Sequence, residues 1–314
     1  MTKKVARVRN WRKYNEALVT RGSITFWFDE ESIKNWHETQ SERKRGRPKK
    51  YSDLAITCGL TLKAVFNLTF RAVEGFIRSL ASSLKLGIEV PDYTLLCKRQ
   101  KNLEVSLPKM KVRRDEKIHI LVDTTGIKVF GEGEWKVRQH GYVKHRLWRK
   151  LHLAINSSTQ EIEAFELTDL GMQDCEGFTK LVEQMDRRIE SAIGDGAFDR
   201  FSCYEVGEIN KFNMIAPPQK NAKTSRERRR NRKKKVSMNA ILRRDELIDE
   251  VRKKGLETWK KEVGYHRRSL AETAVFRIKT ILGNKLQAKI LPHQKTEMAI
   301  WCRVINKMTS LGFG

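Results

Sequence analysis

Three acids occupy positions where a carboxylate needs a reason. Asp123 continues the apolar run Ile118-His119-Ile120-Leu121-Val122, where it loses hydration at considerable cost unless a salt bridge or a metal ion compensates it. Asp195 lies in Ala192-Ile193-Gly194-Asp195-Gly196-Ala197, at the end of a strand-like stretch and between glycines that permit close backbone approach. Strand ends in α/β sheets are where ligands collect. Glu272 closes Ser269-Leu270-Ala271-Glu272, a capping-box sequence in which the Glu bonds back to the Ser269 amide. Capping does not explain the wider spacing. Tyr265, Arg268 and Lys279 stand at offsets −7, −4 and +7 from Glu272, and on one continuous helix all four fall within roughly 60°. Such a face presents a hydroxyl, two cations and a carboxylate, which suits gripping a phosphodiester beside a metal ion. Trp259 is a weaker candidate for stacking on a displaced base, with ordinary packing the simpler reading. His119, His140, His145 and His152 match no familiar metal-ligand spacing and are expected to be phosphate contacts or surface positions.

The elements that must carry these residues can be read from periodicity. Residues 118–130 read as a strand, as do 147–155 and 162–167, the last two joined by Asn156-Ser157-Ser158. An amphipathic helix over 174–185, a strand over 189–193, a helix over 200–211 and a strand over 213–216 follow. The order β-β-β-α-β-α-β gives a mixed sheet with helices on its faces. Upstream, apolar residues recur at three and four from Ser52 to about Leu86, with Asn67-Leu68-Thr69 dividing two helices. Asp92 can cap a third, basic helix. Three short helices fit a helix-turn-helix reader with 92–102 in the major groove, a plain helical bundle being the alternative. Helices over about 269–282 and 296–308 close the chain, while the first forty residues suggest short helices packed on something larger.

The charge distribution says where a polyanion would sit. The 314 residues carry 64 Lys and Arg against 38 Asp and Glu, a formal charge of +26. Residues 1–110 hold +11, 111–220 hold −1 and 221–314 hold +16, so the excess flanks a neutral middle that contains Asp123 and Asp195. A ribosomal or histone-like protein would be basic more evenly. Residues 43–50, Arg-Lys-Arg-Gly-Arg-Pro-Lys-Lys, read as a solvated linker or as an AT-hook-like arm whose Arg45 and Arg47 enter a minor groove. Residues 223–235 hold nine basic residues and one acid, and by charge are expected to be extended or disordered when free. An apolar content of 39% supports a true core. No run is long and apolar enough to span a bilayer, and the start lacks a secretory apolar stretch, so no membrane partner is expected. Five scattered cysteines with no CxxC pair make a disulfide framework or zinc knuckle unexpected and suit a reducing compartment.

The motif Tyr265-x2-Arg268-x3-Glu272-x6-Lys279 resembles the Y-(2)-R-(3)-E-(6)-K signature of bacterial insertion-sequence transposases of families four and five. Asp123 in LVDTTG and Asp195 in GDGAFD stand where that family has its other two acids. GSITFWFDEE, RGRPKKYSDLAIT, VFGEGEWKVR and WRKLHLAI are also similar to stretches of the family-five branch. The resemblance implies an RNase H-like mixed-sheet catalytic core over 113–314, with a basic insertion at about 219–263, behind an N-terminal helical, helix-turn-helix-like DNA-binding region over 1–112. It implies that Asp123, Asp195 and Glu272 hold two Mg²⁺ or Mn²⁺ ions, hard cations suited to oxygen ligands, and that Tyr265, Arg268 and Lys279 contact DNA. The expected activity is binding of terminal inverted repeats, cleavage at element ends and joining of 3′ ends to target DNA. The expected partner is double-stranded DNA, handled by a homodimer or higher oligomer in the cytoplasm at the nucleoid. The competing readings are a non-catalytic DNA-binding regulator and an RNase H-like nuclease without strand joining.

Overall fold

The computed structural model describes residues 10–39, 48–109, 116–129, 148–227 and 237–312. Arg45, Arg47, His140, His145, most of VFGEGEWKVR and residues 228–236 of the basic stretch lie outside the described residues. Two compact units are present, one made of 1–108 with 280–314 and the other of 109–279. The expectation of a single boundary near 112 differs from this, because the last helix joins the first unit: Ile300, Val304 and Met308 share an apolar cluster with Trp27, Ile56 and Leu62.

The first unit holds α1 (Trp11–Thr20), α2 (Ile24–Trp27), α3 (Glu30–Lys34), α4 (Asp53–Val65), α5 (Phe70–Ser83) and α6 (Tyr93–Arg99). Each of the last three starts at a side-chain cap: Ser52 accepts from the Ala55 amide, Thr69 from Ala72, and Asp92 from Thr94 and Leu95. α4 is apolar nearly all round and is buried from Ala55 to Leu62, as a central helix must be. α5 buries one stripe through Val73 and Ile77. Asn67 takes the left-handed conformation between them (φ 50°), and the two helices bend by 110°. The segment 92–102 is less available to DNA than expected. Leu96 and Gln100 are buried, and Arg99 is held by the Asp53 carboxylate and the Tyr51 carbonyl.

In the second unit β1 (Ile118–Val129), β2 (Trp148–Asn156), β3 (Ile162–Thr168), α7 (Asp174–Glu183), β4 (Ile189–Ile193), α8 (Phe201–Ile209) and β5 (Asn213–Ile215) follow in the expected order. The strands lie β3-β2-β1-β4-β5, with β1–β2 and β2–β3 antiparallel and β1–β4 and β4–β5 parallel. This is a mixed α/β sheet of the RNase H-like kind. Ile120, Val122, Ala154, Ala164, Ala192 and Met214 share one core with Phe178 and Leu181 of α7 and Cys203 and Tyr204 of α8. On that face His152 is buried and bonds Thr124 Oγ1 and Thr168 Oγ1, both at 3.1 Å, so it is neither a surface nor a phosphate-contacting residue. A Cβ on Gly177 would lie 2.4 Å from its ring, which shows how closely α7 seals the site. Burial drives the His152 pKa down to about 4.

The insertion is not extended throughout. α9 (Met238–Lys254) and α10 (Leu256–Glu262) form within it, because Ala240, Leu247 and Trp259 supply core contacts at helical spacing. Trp259 is 1% exposed, which favours packing over base stacking. Arg244 of α9 donates Nε and an NH₂ nitrogen to the two oxygens of Asp199 at 2.7 and 2.6 Å, with both side chains buried. No single helix among the described residues is long and apolar enough to cross a membrane.

Two predictions follow from these buried polar groups. Replacing Arg244 by Ala leaves Asp199 charged and unpaired and is expected to destabilise the protein by about 3–5 kcal/mol, whereas combining it with Asp199→Asn recovers part of the loss in urea titrations. His152 is neutral when folded but takes a proton near pH 6.5 when unfolded, so stability should fall as the pH drops from about 6.5 towards 4, by at most about 3 kcal/mol. His152→Gln should flatten that slope.

Candidate active site

The strand register brings the two aspartates together. In the parallel pair β1–β4, Leu121 is level with Ile193. β4 ends at Ile193, and Asp195 (φ −79°, ψ −177°) lies two residues beyond it, near enough to Asp123 for its negative charge to bear on that carboxyl. Adjacent strands are ~4.8 Å apart. Side chains alternate along a strand, so Asp123 and Thr125 face away from the side where Val122 and Thr124 meet α7. Gly194 is required before Asp195 because Phe198 folds back over it, and a Cβ there would lie 2.7 Å from the ring. The Asp195 carboxylate accepts from the Ala197 amide at 2.8 Å and opens the short 3₁₀ turn Gly196–Phe198. Asp199, at its end, is the residue Arg244 holds, so the insertion braces the loop that carries Asp195.

Glu272 arrives on α11 (Ser269–Ile281), whose Ala271, Ala274 and Ile278 are buried. The four-residue face is not one continuous α-helix. Gly264 turns left-handed (φ 66°), and Tyr265–Arg268 form a 3₁₀ turn that runs directly into α11. Ser269 is therefore already helical (φ −56°, ψ −21°), and its hydroxyl donates to the His266 carbonyl. It does not act as an N-cap. Glu272 is instead bonded to Arg268, at 2.5 Å.

Arg268 is the hub of the cluster, reaching Glu272 with one nitrogen and Asp123 with another at 3.5 Å. Lys279 donates to Thr125 Oγ1 at 2.8 Å, which brings the far end of α11 to the same strand face. Tyr265 is half-buried beside Arg268, with its ring 6.3 Å from that of Trp259. Burial raises the Asp123 pKa. Arg268 pulls it back, while the negative charges of Asp195 and Glu272 push it further up. Burial likewise raises the Tyr265 hydroxyl, against the nearby Arg268.

Among the described residues no three His, Cys, Asp or Glu side chains are gathered tightly enough to enclose an ion, and Arg268 stands between two of the acids. The donor set nonetheless fits a hard divalent cation. Three carboxylates repel one another across Asp123 with one guanidinium between them, so added positive charge is favoured there.

A family model described as Transposase DDE domain matches residues 114–307. A second of the same description matches residues 19–132. The chain belongs to the DDE transposases. Membership makes it a metal-dependent enzyme of DNA transposition, and the transposase domain spans the sheet, the insertion and α11. Thr125, Asp199 and Arg244 of this transposase are contributors that sequence reasoning missed. For Thr125 the signal was present, two residues from Asp123 on a strand of period two.

Because the raised Asp123 pKa means that its ionised form is disfavoured in the fold, Asp123→Asn should leave the metal-free transposase at least as stable as wild type at neutral pH. Millimolar Mg²⁺ or Mn²⁺ should raise the melting temperature of wild type and not of the variant, as measured by scanning fluorimetry.

Proposed function

We propose that this transposase binds the terminal inverted repeats of a mobile element, cleaves at its ends and joins the 3′ ends to target DNA. The observation that supports it most is the grouping of Asp123 on β1 with Asp195 just beyond the end of the adjacent parallel β4, with Glu272 linked to Asp123 through Arg268. Three carboxylates from distant parts of the chain are suited to holding two Mg²⁺ or Mn²⁺ ions. When bound, such a pair supplies an activated water or 3′-hydroxyl and a stabilised leaving oxygen for in-line displacement at phosphorus.

The chain's own residues do the rest. Asp123, Asp195 and Glu272 are the metal ligands in this reading. Arg268, which holds Asp123 and Glu272 in the metal-free site, would grip a phosphate near the scissile bond if those acids held metal instead, and Lys279 would hold a second one from the far end of α11. Tyr265 donates its hydroxyl to a phosphate. Arg45 and Arg47 belong to the DNA-holding arm. An enzyme that acts on two element ends works as a homodimer or larger assembly on DNA.

Supercoiled plasmid and a precut end fragment test this reading. Asp123→Asn, Asp195→Asn and Glu272→Gln are each expected to lower metal-dependent cleavage and strand joining by at least about 100-fold, since an electrostatic contributor of this kind is worth that much. Cleavage that survives all three substitutions would overturn the assignment of these carboxylates, and wild type that binds DNA without cleaving it would leave a DNA-binding regulator. Cleavage by wild type without joined product would leave an RNase H-like nuclease.

A further inference from the structure

α5 has one face that, among the described residues, is left exposed. Arg71, Gly75, Arg78, Ser79 and Ser82 are all exposed, and at 100° per residue they fall within a sector of about 100° opposite the buried Val73 and Ile77. The composition of this stripe is unusual for a merely solvated surface. Gly75 stands at the middle of a 14-residue helix, where Gly weakens a helix relative to Ala. A Cβ there would meet nothing within 4 Å, so no neighbour among the described residues requires it. Its absence leaves a shallow place for something outside to approach, flanked by two serines and two arginines.

The charges on this face suit a polyanion. Glu74 is its one acid, and it is already engaged, with its side chain 14% exposed, accepting from the Tyr93 amide and pairing with Arg78. Arg78 is 66% exposed, and an exposed pair of that kind is weak enough to be exchanged for a better acceptor. Arg71 lies over the Tyr93 ring at 5.0 Å, which extends its guanidinium along the helix surface. The setting of α5 is that of a reading helix: a four-residue turn, 66–69, joins it to the buried α4 at 110°. Helix-turn-helix readers join their two helices at 90–120° through a short turn and lay the second in the major groove.

We propose that α5, and not the segment 92–102, reads base pairs in the DNA major groove, with Arg71 and Arg78 donating to guanine edges and the small residues between them allowing close approach. α6 then serves as packing for α5, consistent with its buried Leu96 and its internally paired Arg99. This inference rests on the reading of the chain as a sequence-specific binder of element ends.

The test is selection from a pool of duplexes with a randomised central segment, using the full chain. Wild type is expected to enrich a consensus. Arg71→Ala and Arg78→Ala should each relax a distinct position within it and weaken binding to the wild-type consensus by about tenfold, with little change in salt dependence, since a bidentate base contact is worth roughly that. Gly75→Leu should raise the melting temperature and yet abolish enrichment, a combination that misfolding cannot produce. Lys98→Ala with Lys101→Ala should leave the consensus intact. Enrichment of the same consensus with the same affinity by the three α5 variants would overturn the proposal, as would a consensus relaxed by the Lys98 and Lys101 substitutions, or no consensus from wild type. Metal-dependent plasmid cleavage, measured in parallel, separates the two readings. An unchanged consensus with active cleavage removes only the role of α5, whereas loss of wild-type cleavage beside an α5-dependent consensus removes only the catalytic reading.

Discussion

Everything in the second unit is arranged around a carboxylate that water cannot fully serve. Asp123 is placed by β1 in the middle of a sheet, and its ionised form is penalised by burial and by two further acids. Arg268 is the compensation the chain provides, shared with Glu272. One guanidinium divided between two acids, with a third nearby, leaves the cluster short of positive charge. That shortage favours added positive charge at the site.

The surrounding elements act by fixing where those charges lie. Parallel pairing of β1 with β4 brings the end of β4, and Asp195 just beyond it, beside the strand that carries Asp123, Gly194 lets Phe198 close behind it, and the buried Asp199–Arg244 pair anchors the turn that follows. The opposite face of the sheet is sealed by α7 and α8, with neutral His152 bonded to threonines on β1 and β3. The insertion therefore has a structural part as well as a basic one. Its helices contribute core at Trp259 and a cation at Arg244, whatever its lysines and arginines hold.

Much of this was legible in the sequence, for identifiable reasons. The order of strands and helices along the chain followed from periods of two and 3.6 in runs that are buried on one face, and Asp123 was visible because an acid breaks such a run. Asp92 caps its helix as its sequence suggested, and Asn67-Leu68-Thr69 divides two helices as expected. Other features were hidden. α9 and α10 were obscured because a strongly basic stretch dominates their surroundings, and because one core-facing position is an Arg whose partner lies 45 residues away. His152 is a polar residue whose burial depends on two threonines distant in the chain. The capping box at Ser269 is a true sequence pattern that goes unused, because the left-handed Gly264 starts a 3₁₀ turn upstream and leaves no free helix end to cap. The return of the last helix to the first unit depends on which apolar cluster Ile300 and Val304 enter, and local periodicity is silent on that choice.

The central claim is that the charge shortage around Asp123 is filled by divalent metal, with Arg268 giving way. Anomalous diffraction from crystals soaked in millimolar Mn²⁺ tests it most directly. The account predicts a manganese peak within coordinating distance of carboxylate oxygens of Asp123 and Asp195, with the Arg268 guanidinium moved off Asp123. Arg268 still bridging Asp123 and Glu272, with no manganese between the acids, would contradict it.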